Sequence, residues 1–188
     1  MSTPERGRIS RRGLLFAGLA CLAAPVFAQC RRTPSAGLGP YYVPVKGIQP
    51  DLCQRDAGAG IVISGRVVAF PECRPVADAL IEVWHADTYG EYSRVGDPRF
   101  DDAACLLRAN VRSGDGGRYS FRTITPGDYT GRPRHIHFRV SARGYRTLVT
   151  QLYFPPQDGI DSRLIARASK PQASGAATFE FDLAIAPV

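Results

Sequence analysis

Arg118-Tyr119-Ser120-Phe121-Arg122-Thr123-Ile124 alternates polar and apolar side chains and follows the turn Asp115-Gly116-Gly117. Period-two patterning of this kind marks a strand with one face buried and the other wet. The same grammar extends in both directions. Ile61 to Phe70, Ala79 to Ala86, His135 to Val140, Thr147 to Phe154 and Thr178 to Ile185 all read as strands. Turn residues separate them at Pro71, Pro75, Gly116-Gly117, Pro126-Gly127, Gly144 and Pro155-Pro156. No stretch sustains a 3.6-residue apolar period, and Ile160 to Ala168 is expected to form one short helix. Short strands at regular spacing predict an all-β fold, a β-sandwich of mostly antiparallel strands with long loops, over residues 60–188. Residues 29–59 are polar, with Pro and Gly, and are expected to wrap its surface.

The first 28 residues read as an export signal. Arg6, Arg8, Arg11 and Arg12 precede an apolar run from Leu14 to Phe27 that ends in Val26-Phe27-Ala28. About fifteen apolar residues are too few to span a bilayer, so no stable membrane insertion is expected after cleavage. Ser10-Arg11-Arg12-Gly13-Leu14-Leu15 fits a twin-arginine signal, which predicts a periplasmic or secreted protein. Cleavage after Ala28 leaves 160 residues, one domain by size. It also removes four Arg and one Glu from a chain of net charge +7, leaving about +4. That charge is scattered rather than clustered, so no nucleic-acid partner is expected. Cys30, Cys53, Cys73 and Cys105 remain, and four cysteines in an exported domain predict two disulfides among three possible connectivities. A homo-oligomer is compatible with the sequence.

The chemistry concentrates in Pro126-Gly127-Asp128-Tyr129-Thr130-Gly131-Arg132-Pro133-Arg134-His135-Ile136-His137-Phe138. On a strand, His135 and His137 share a face and present two imidazoles in one direction. Tyr129 lies in the turn just upstream, and Tyr92 follows the strand that ends Trp84-His85-Ala86. Two imidazoles and two phenolates make a hard, anionic donor set, suited to a ferric ion and poor for copper(I). Tyrosine normally holds its proton to about pH 10, and a trivalent cation can displace it. Taken singly, each residue has a plainer reading: a polar sheet face for the histidines, packing for the tyrosines. The remaining histidine, His85, reads as a structural residue.

Taken together, the motifs resemble a known family. Trp84-His85-Ala86-Asp87-Thr88-Tyr89-Gly90-Glu91-Tyr92, the run from Asp115 to Tyr129, and Arg132-Pro133-Arg134-His135-Ile136-His137-Phe138 are similar to the intradiol ring-cleavage dioxygenases. Gly39-Pro40-Tyr41-Tyr42 and Thr150-Gln151-Leu152-Tyr153-Phe154 resemble that family's N-terminal and post-ligand elements. The resemblance implies a non-haem Fe(III) site with Tyr92, Tyr129, His135 and His137 as ligands. It implies cleavage of a catechol-type aromatic by O2 to a cis,cis-muconate-type diacid. Arg132 would stabilise negative charge developing on the substrate, Gln151 would lie beside it, and Tyr129 would take up a substrate proton. Tyr41, Tyr42 and Arg134 would border the substrate pocket. Five features depart from the pattern: a short step from Tyr129 to His135, no aromatic residue after that tyrosine, Arg134 where a small residue is usual, a single short domain without a helical N-terminal dimerisation region, and the export signal. The substrate therefore stays open among catechol, protocatechuate, hydroxyquinol, chlorocatechols and larger lignin-like catechols. The alternatives are an exported β-sandwich that binds aromatics or iron without turnover, or a copper protein using His135 and His137.

Overall fold

The structure is a computed structural model that describes residues 30–53, 60–93, 105–129, 131–169 and 176–188. The export signal at 1–28 lies outside the described residues.

Among the described residues, ten strands form two sheets. The first is organised on β1 (Gly60–Ala69). The N-terminal half of β1 runs between β5 (Arg118–Ile124), antiparallel, and β9 (Ala177–Glu180), parallel. Its C-terminal half runs between β2 (Arg74–Pro75), antiparallel, and β10 (Leu183–Ile185), parallel. The short β8 (Arg167–Ser169) pairs with β9 at the edge. The second sheet is wholly antiparallel, in the order β4 (Arg108–Arg112), β3 (Leu80–His85), β6 (His135–Ser141), β7 (Leu148–Tyr153).

The sheets pack face to face, as the alternation requires. Ile61, Ile63, Tyr119 and Phe121 meet Ile81, Val83, Ile136, Phe138 and Val140 in one core, all buried. Phe138 is fully buried, with ring centroids 6.0 Å from Phe121 and 5.3 Å from Phe181. Truncating such a residue to Ala costs about 3–5 kcal/mol.

Three expectations need correction. The strand expected from Thr178 to Ile185 is two strands: Phe181 and Asp182 leave the ladder, and the chain re-enters beside the other half of β1. There the Phe181 N–H donates to Ser64 O, and Asp182 Oδ1 accepts from Arg66 N–H. The helix expected at 160–168 is a single 3-10 turn (Ser162–Leu164) running into β8. Asp161 caps that turn by accepting from Arg163 N–H, and pairing with β9 takes the rest of the segment. β4 escaped notice because its outer face carries Arg108, Asn110 and Arg112, which obscures the pattern of Ala109 and Val111. Of the two disulfides expected, Cys53–Cys105 is formed, and no bond joins Cys30 to Cys73.

Residues 30–53 contribute no ladder strand and cross the outer face of the second sheet. Backbone bonds fasten this strap along its length: Thr33 to Ala184, Ala36 to Val149, Gln49 to Asn110 and Leu52 to Arg122.

Candidate active site

Period-two alternation turns the other face of the second sheet outward, under the strap. On β6, Ile136, Phe138 and Val140 enter the core, so His135, His137 and Arg139 face out. Register then sets their neighbours. His137 stands opposite Trp84 on one side and Gln151 on the other, and His135 opposite Tyr153. The Trp84 and His137 rings are stacked, 4.9 Å apart and within 6° of parallel, which fixes the imidazole plane. Both histidines are only 3% exposed. Burial above all, with Arg132 nearby, depresses both, and the charge of His135 adds to the effect on His137, which falls to about 3. They therefore stay neutral, with lone pairs available to a cation, down to acidic pH.

The His135 Nδ1–H donates to the Pro133 carbonyl at 2.7 Å, which leaves its Nε2 as the lone-pair nitrogen. That Nε2 lies 3.2 Å from His137 Nε2 and 3.4 Å from the Tyr92 hydroxyl. Tyr92 arrives on the loop after β3. Asp87 shapes this loop, its Oδ1 accepting from the N–H groups of Tyr89 and Glu91. The loop abuts the one carrying Tyr129: Gly127 N–H donates to Asp87 O, and Gly90, at φ +81°, leaves room for Asp128 O. Tyr129 and Arg132 exchange reciprocal backbone bonds of 3.0 and 2.7 Å, so the short step to His135 is closed as a tight turn. Asp128 Oδ1 accepts from Arg134 N–H and braces the turn.

The strap completes the cluster. Tyr41 stacks on Tyr92 at 4.4 Å, and its hydroxyl lies 2.8 Å from the Tyr129 hydroxyl. The Tyr92 and Tyr129 rings are perpendicular at 5.4 Å. Desolvation pushes the Tyr92 phenol well above its ordinary value, so ionising it at neutral pH requires a cation alongside. On the opposite side, Arg132 Nη2 donates to Gln151 Oε1 at 2.8 Å and to the Tyr153 hydroxyl at 2.9 Å. Tyr153 in turn donates to Gln151 Oε1 at 2.6 Å, and the Gln151 amide nitrogen is 3.3 Å from His137 Nδ1.

Tyr41, Tyr92, Tyr129, Arg132, His135, His137 and Gln151 are thus brought together. Tyr42 is turned away: its hydroxyl donates to Glu82 Oε1, and Arg139, ion-paired with Glu82, lies over its ring. Arg134 is exposed, on the lead-in to β6, out of parity with the two histidines. His85 is structural: fully buried, it donates from Nδ1 to Ala86 O and accepts at Nε2 from Thr123 Oγ1. Sequence reasoning passed over Tyr153 and Trp84. Parity with Gln151 was the available signal for Tyr153, whereas the Trp84 stack needed the register.

The donor set can be tested against a cation. Ligand bonds of about 2 Å at angles of 90–110° put neighbouring donors roughly 2.8–3.4 Å apart. His135 Nε2 lies at that spacing from both His137 Nε2 and the Tyr92 oxygen. Among the described residues, no three of His, Cys, Asp and Glu converge anywhere, so the companions of the His pair are phenols. The residues fit a hard cation held by two imidazoles and phenolate oxygen.

The chain is similar to known proteins along most of its described length. A family model described as Dioxygenase matches residues 38–132 and 130–185. Catechol 1,2-dioxygenase 2 of Acinetobacter lwoffii is 37% identical over 144 residues, covering 64% of this chain and 50% of that protein. Hydroxyquinol 1,2-dioxygenase of Nocardioides simplex is 34% identical, covering 69% of this chain and 50% of that protein. The chain spans about half the length of these curated relatives. Among solved structures, the dioxygenase domain of a dioxygenase carbohydrate-binding protein fusion from Streptomyces sp. SirexAA-E aligns with a TM-score of 0.71 at 30% identity. That alignment covers 84% of this chain and 100% of that one. For 3-chlorocatechol 1,2-dioxygenase from Rhodococcus opacus 1CP the TM-score is 0.69 at 27% identity, covering 82% and 72%. The matched span takes in every residue of the converged cluster, and the chain belongs to the intradiol ring-cleavage dioxygenase family.

Proposed function

We propose that this protein binds a ferric ion through Tyr92, Tyr129, His135 and His137. With it, the protein cleaves a catechol-type ring between the two hydroxylated carbons with O2, giving a cis,cis-muconate-type diacid. The observation that carries the reading is the convergence of two neutral imidazoles and two tyrosines beside the Arg132–Gln151–Tyr153 network. The names of the similar enzymes, which act on catechol, hydroxyquinol and chlorocatechols, support a catechol-type substrate.

A ferric ion held there would supply Lewis acidity that makes a catechol ring reactive toward O2. The protein's own groups do the rest. A catechol must lose two protons to chelate, and the Tyr129 phenolate is a base within the cluster. Its partner Tyr41 then holds the neutral phenol in place through the 2.8 Å hydroxyl contact. Arg132 supplies a fixed positive charge toward the negative charge that develops on the ring; Gln151 and Tyr153 hold it, so it need not reorganise during reaction. The Trp84 stack and the Pro133 carbonyl keep both imidazoles aimed. The twin-arginine motif and the Cys53–Cys105 disulfide support action outside the cytoplasm.

Iron-loaded protein is expected to be red-brown from phenolate-to-metal charge transfer, to change colour on anaerobic addition of a catechol, and to consume O2 with ring-opened diacid as product. Tyr129→Phe should alter the colour. A coloured protein that consumes no O2 with catechol, hydroxyquinol, protocatechuate or chlorocatechols is a binding module instead. Export is read by fractionation, with Arg11→Lys/Arg12→Lys expected to retain the protein inside the cell.

A further inference from the structure

The strap that covers the site is tied to the body at its C-terminal end by Cys53–Cys105, and two more thiols meet at its other end. Cys30 Sγ lies 3.6 Å from Ala69 O and 3.7 Å from Pro71 O. Cys73 Sγ lies 3.7 Å from the same Pro71 oxygen. Cys73 sits in the turn between β1 and β2 at φ +58°, where its N–H bonds back to Ala69 O. Burial first, then the neighbouring Cys73 thiol, pushes the Cys30 thiol up to about 11. Between the two cysteine pairs run the residues that close the site: Gly37 O accepts from Gln151, Gly39 abuts His137, and Tyr41 meets Tyr92 and Tyr129.

We propose that Cys30 and Cys73 form a second disulfide, so that the strap carrying Tyr41 is held covalently at both ends, and that this bond is the redox-labile one. The oxidant is a protein disulfide of the thiol–disulfide exchange class. One cysteine thiolate attacks an oxidant sulfur and forms a mixed disulfide. The second then displaces the oxidant, which leaves as a dithiol carrying the two electrons and, by way of solvent, the two thiol protons. Accessibility separates the two bonds: Cys53 is 2% exposed and sits in a small apolar cluster with Leu107 and Ile124, while Cys30 and Cys73 are only half-buried. A reductant therefore reaches Cys30–Cys73 first and frees the N-terminal end of the strap. The inference stands apart from the proposed reaction, because its tests read covalent linkage and strap mobility.

Exported protein is alkylated at lysis and digested with trypsin without reduction. The peptide ending at Arg31 is expected to be joined to the one beginning at Val67, with Cys53 and Cys105 on a separate linked pair. Both thiols alkylated, Cys30 linked to any other cysteine, or Cys30 carrying a lipid would overturn the proposal. In a dithiol titration of the folded protein, Cys30–Cys73 should open before Cys53–Cys105, and cleavage after Arg31 and Arg32 should then accelerate roughly tenfold or more. Cys30→Ser/Cys73→Ser should reproduce the fast cleavage without reductant while keeping the wild-type far-UV spectrum. Equal cleavage rates in oxidised, reduced and doubly substituted protein would sink the clamp.

Discussion

Gly90→Ala tests whether the loop-to-loop contact sets the Tyr92–Tyr129 pair. A Cβ at residue 90 would sit 1.9 Å from Asp128 O and 2.9 Å from its carbonyl carbon. Real side-chain carbons do not approach within 3.0 Å, so the loops must separate by roughly 1 Å. Asp128 resists, being bonded to Arg134 N–H. Separation would break the Gly127 N–H bond to Asp87 O, a loss of about 1 kcal/mol. Holding alanine at φ +81° costs about 1–2 kcal/mol more. The total is about 2–3 kcal/mol, or a fall in Tm of roughly 4–12 °C for a domain of this size. Gly116→Ala is the control: its φ is +72°, but nothing lies within 4 Å. It should show the conformational cost alone, about 1–2 kcal/mol, and bind iron normally. Thermal melts with iron-to-protein ratios read both variants. Gly90→Ala should bind iron weakly and lose the charge-transfer band. If it melts no lower than Gly116→Ala, or takes up iron undiminished, the contact does not position the tyrosines.

Gln151→Leu removes the acceptor shared by Arg132 and Tyr153 and frees the amide contact to His137. The loss of about 1.5–3 kcal/mol of charge-assisted bonding should lower kcat/KM on a catechol by roughly ten- to a hundredfold, read by O2 uptake. His85 is held at about 4 in the folded protein, below its ordinary 6.5, chiefly by burial. The unfolded chain therefore takes the proton first, and stability should fall from about pH 6.5 and level off near pH 4, a loss on the order of 3 kcal/mol. Urea titrations of wild type and His85→Asn across that window should differ in slope by up to one proton; identical slopes would show that His85 is not the titrating group. Cys53→Ala/Cys105→Ala opens a link between residues 52 apart and should cost about 4 kcal/mol by loop-closure entropy, seen as a lower urea midpoint.

Strand positions were legible in the sequence wherever one face was apolar. The stretch Arg118–Ile124 was read residue for residue, and β6 was read to within one residue of its end, because burial of alternate residues leaves its mark in the chain itself. The elements misread were those whose pairing, not patterning, makes them strands. Arg167–Ser169 is a strand only because β9 lies beside it, and Phe181-Asp182 is a break only because β1 has two different neighbours along its length.

The site divides along the same line. The sequence by itself determined the sheet class and, through the spacing of His135 and His137, that two imidazoles share a face. Period-two geometry is local and needs no partner. Tyr129 and Tyr92 were candidate companions from their places in the chain, and the family motifs added Arg132 and Gln151. Only the tertiary structure decided which aromatic residues of the strap serve the site. Tyr41 and Tyr42 are neighbours in the chain, yet Tyr41 stacks on Tyr92 while Tyr42 is drawn to the buried Glu82–Arg139 pair. The Trp84 stack behind His137 likewise came from register, and the fastening of the strap came from cysteines far apart in the chain. Such contacts depend on which strands lie side by side and on where a segment without a ladder of its own is tied, and neither is encoded in local periodicity.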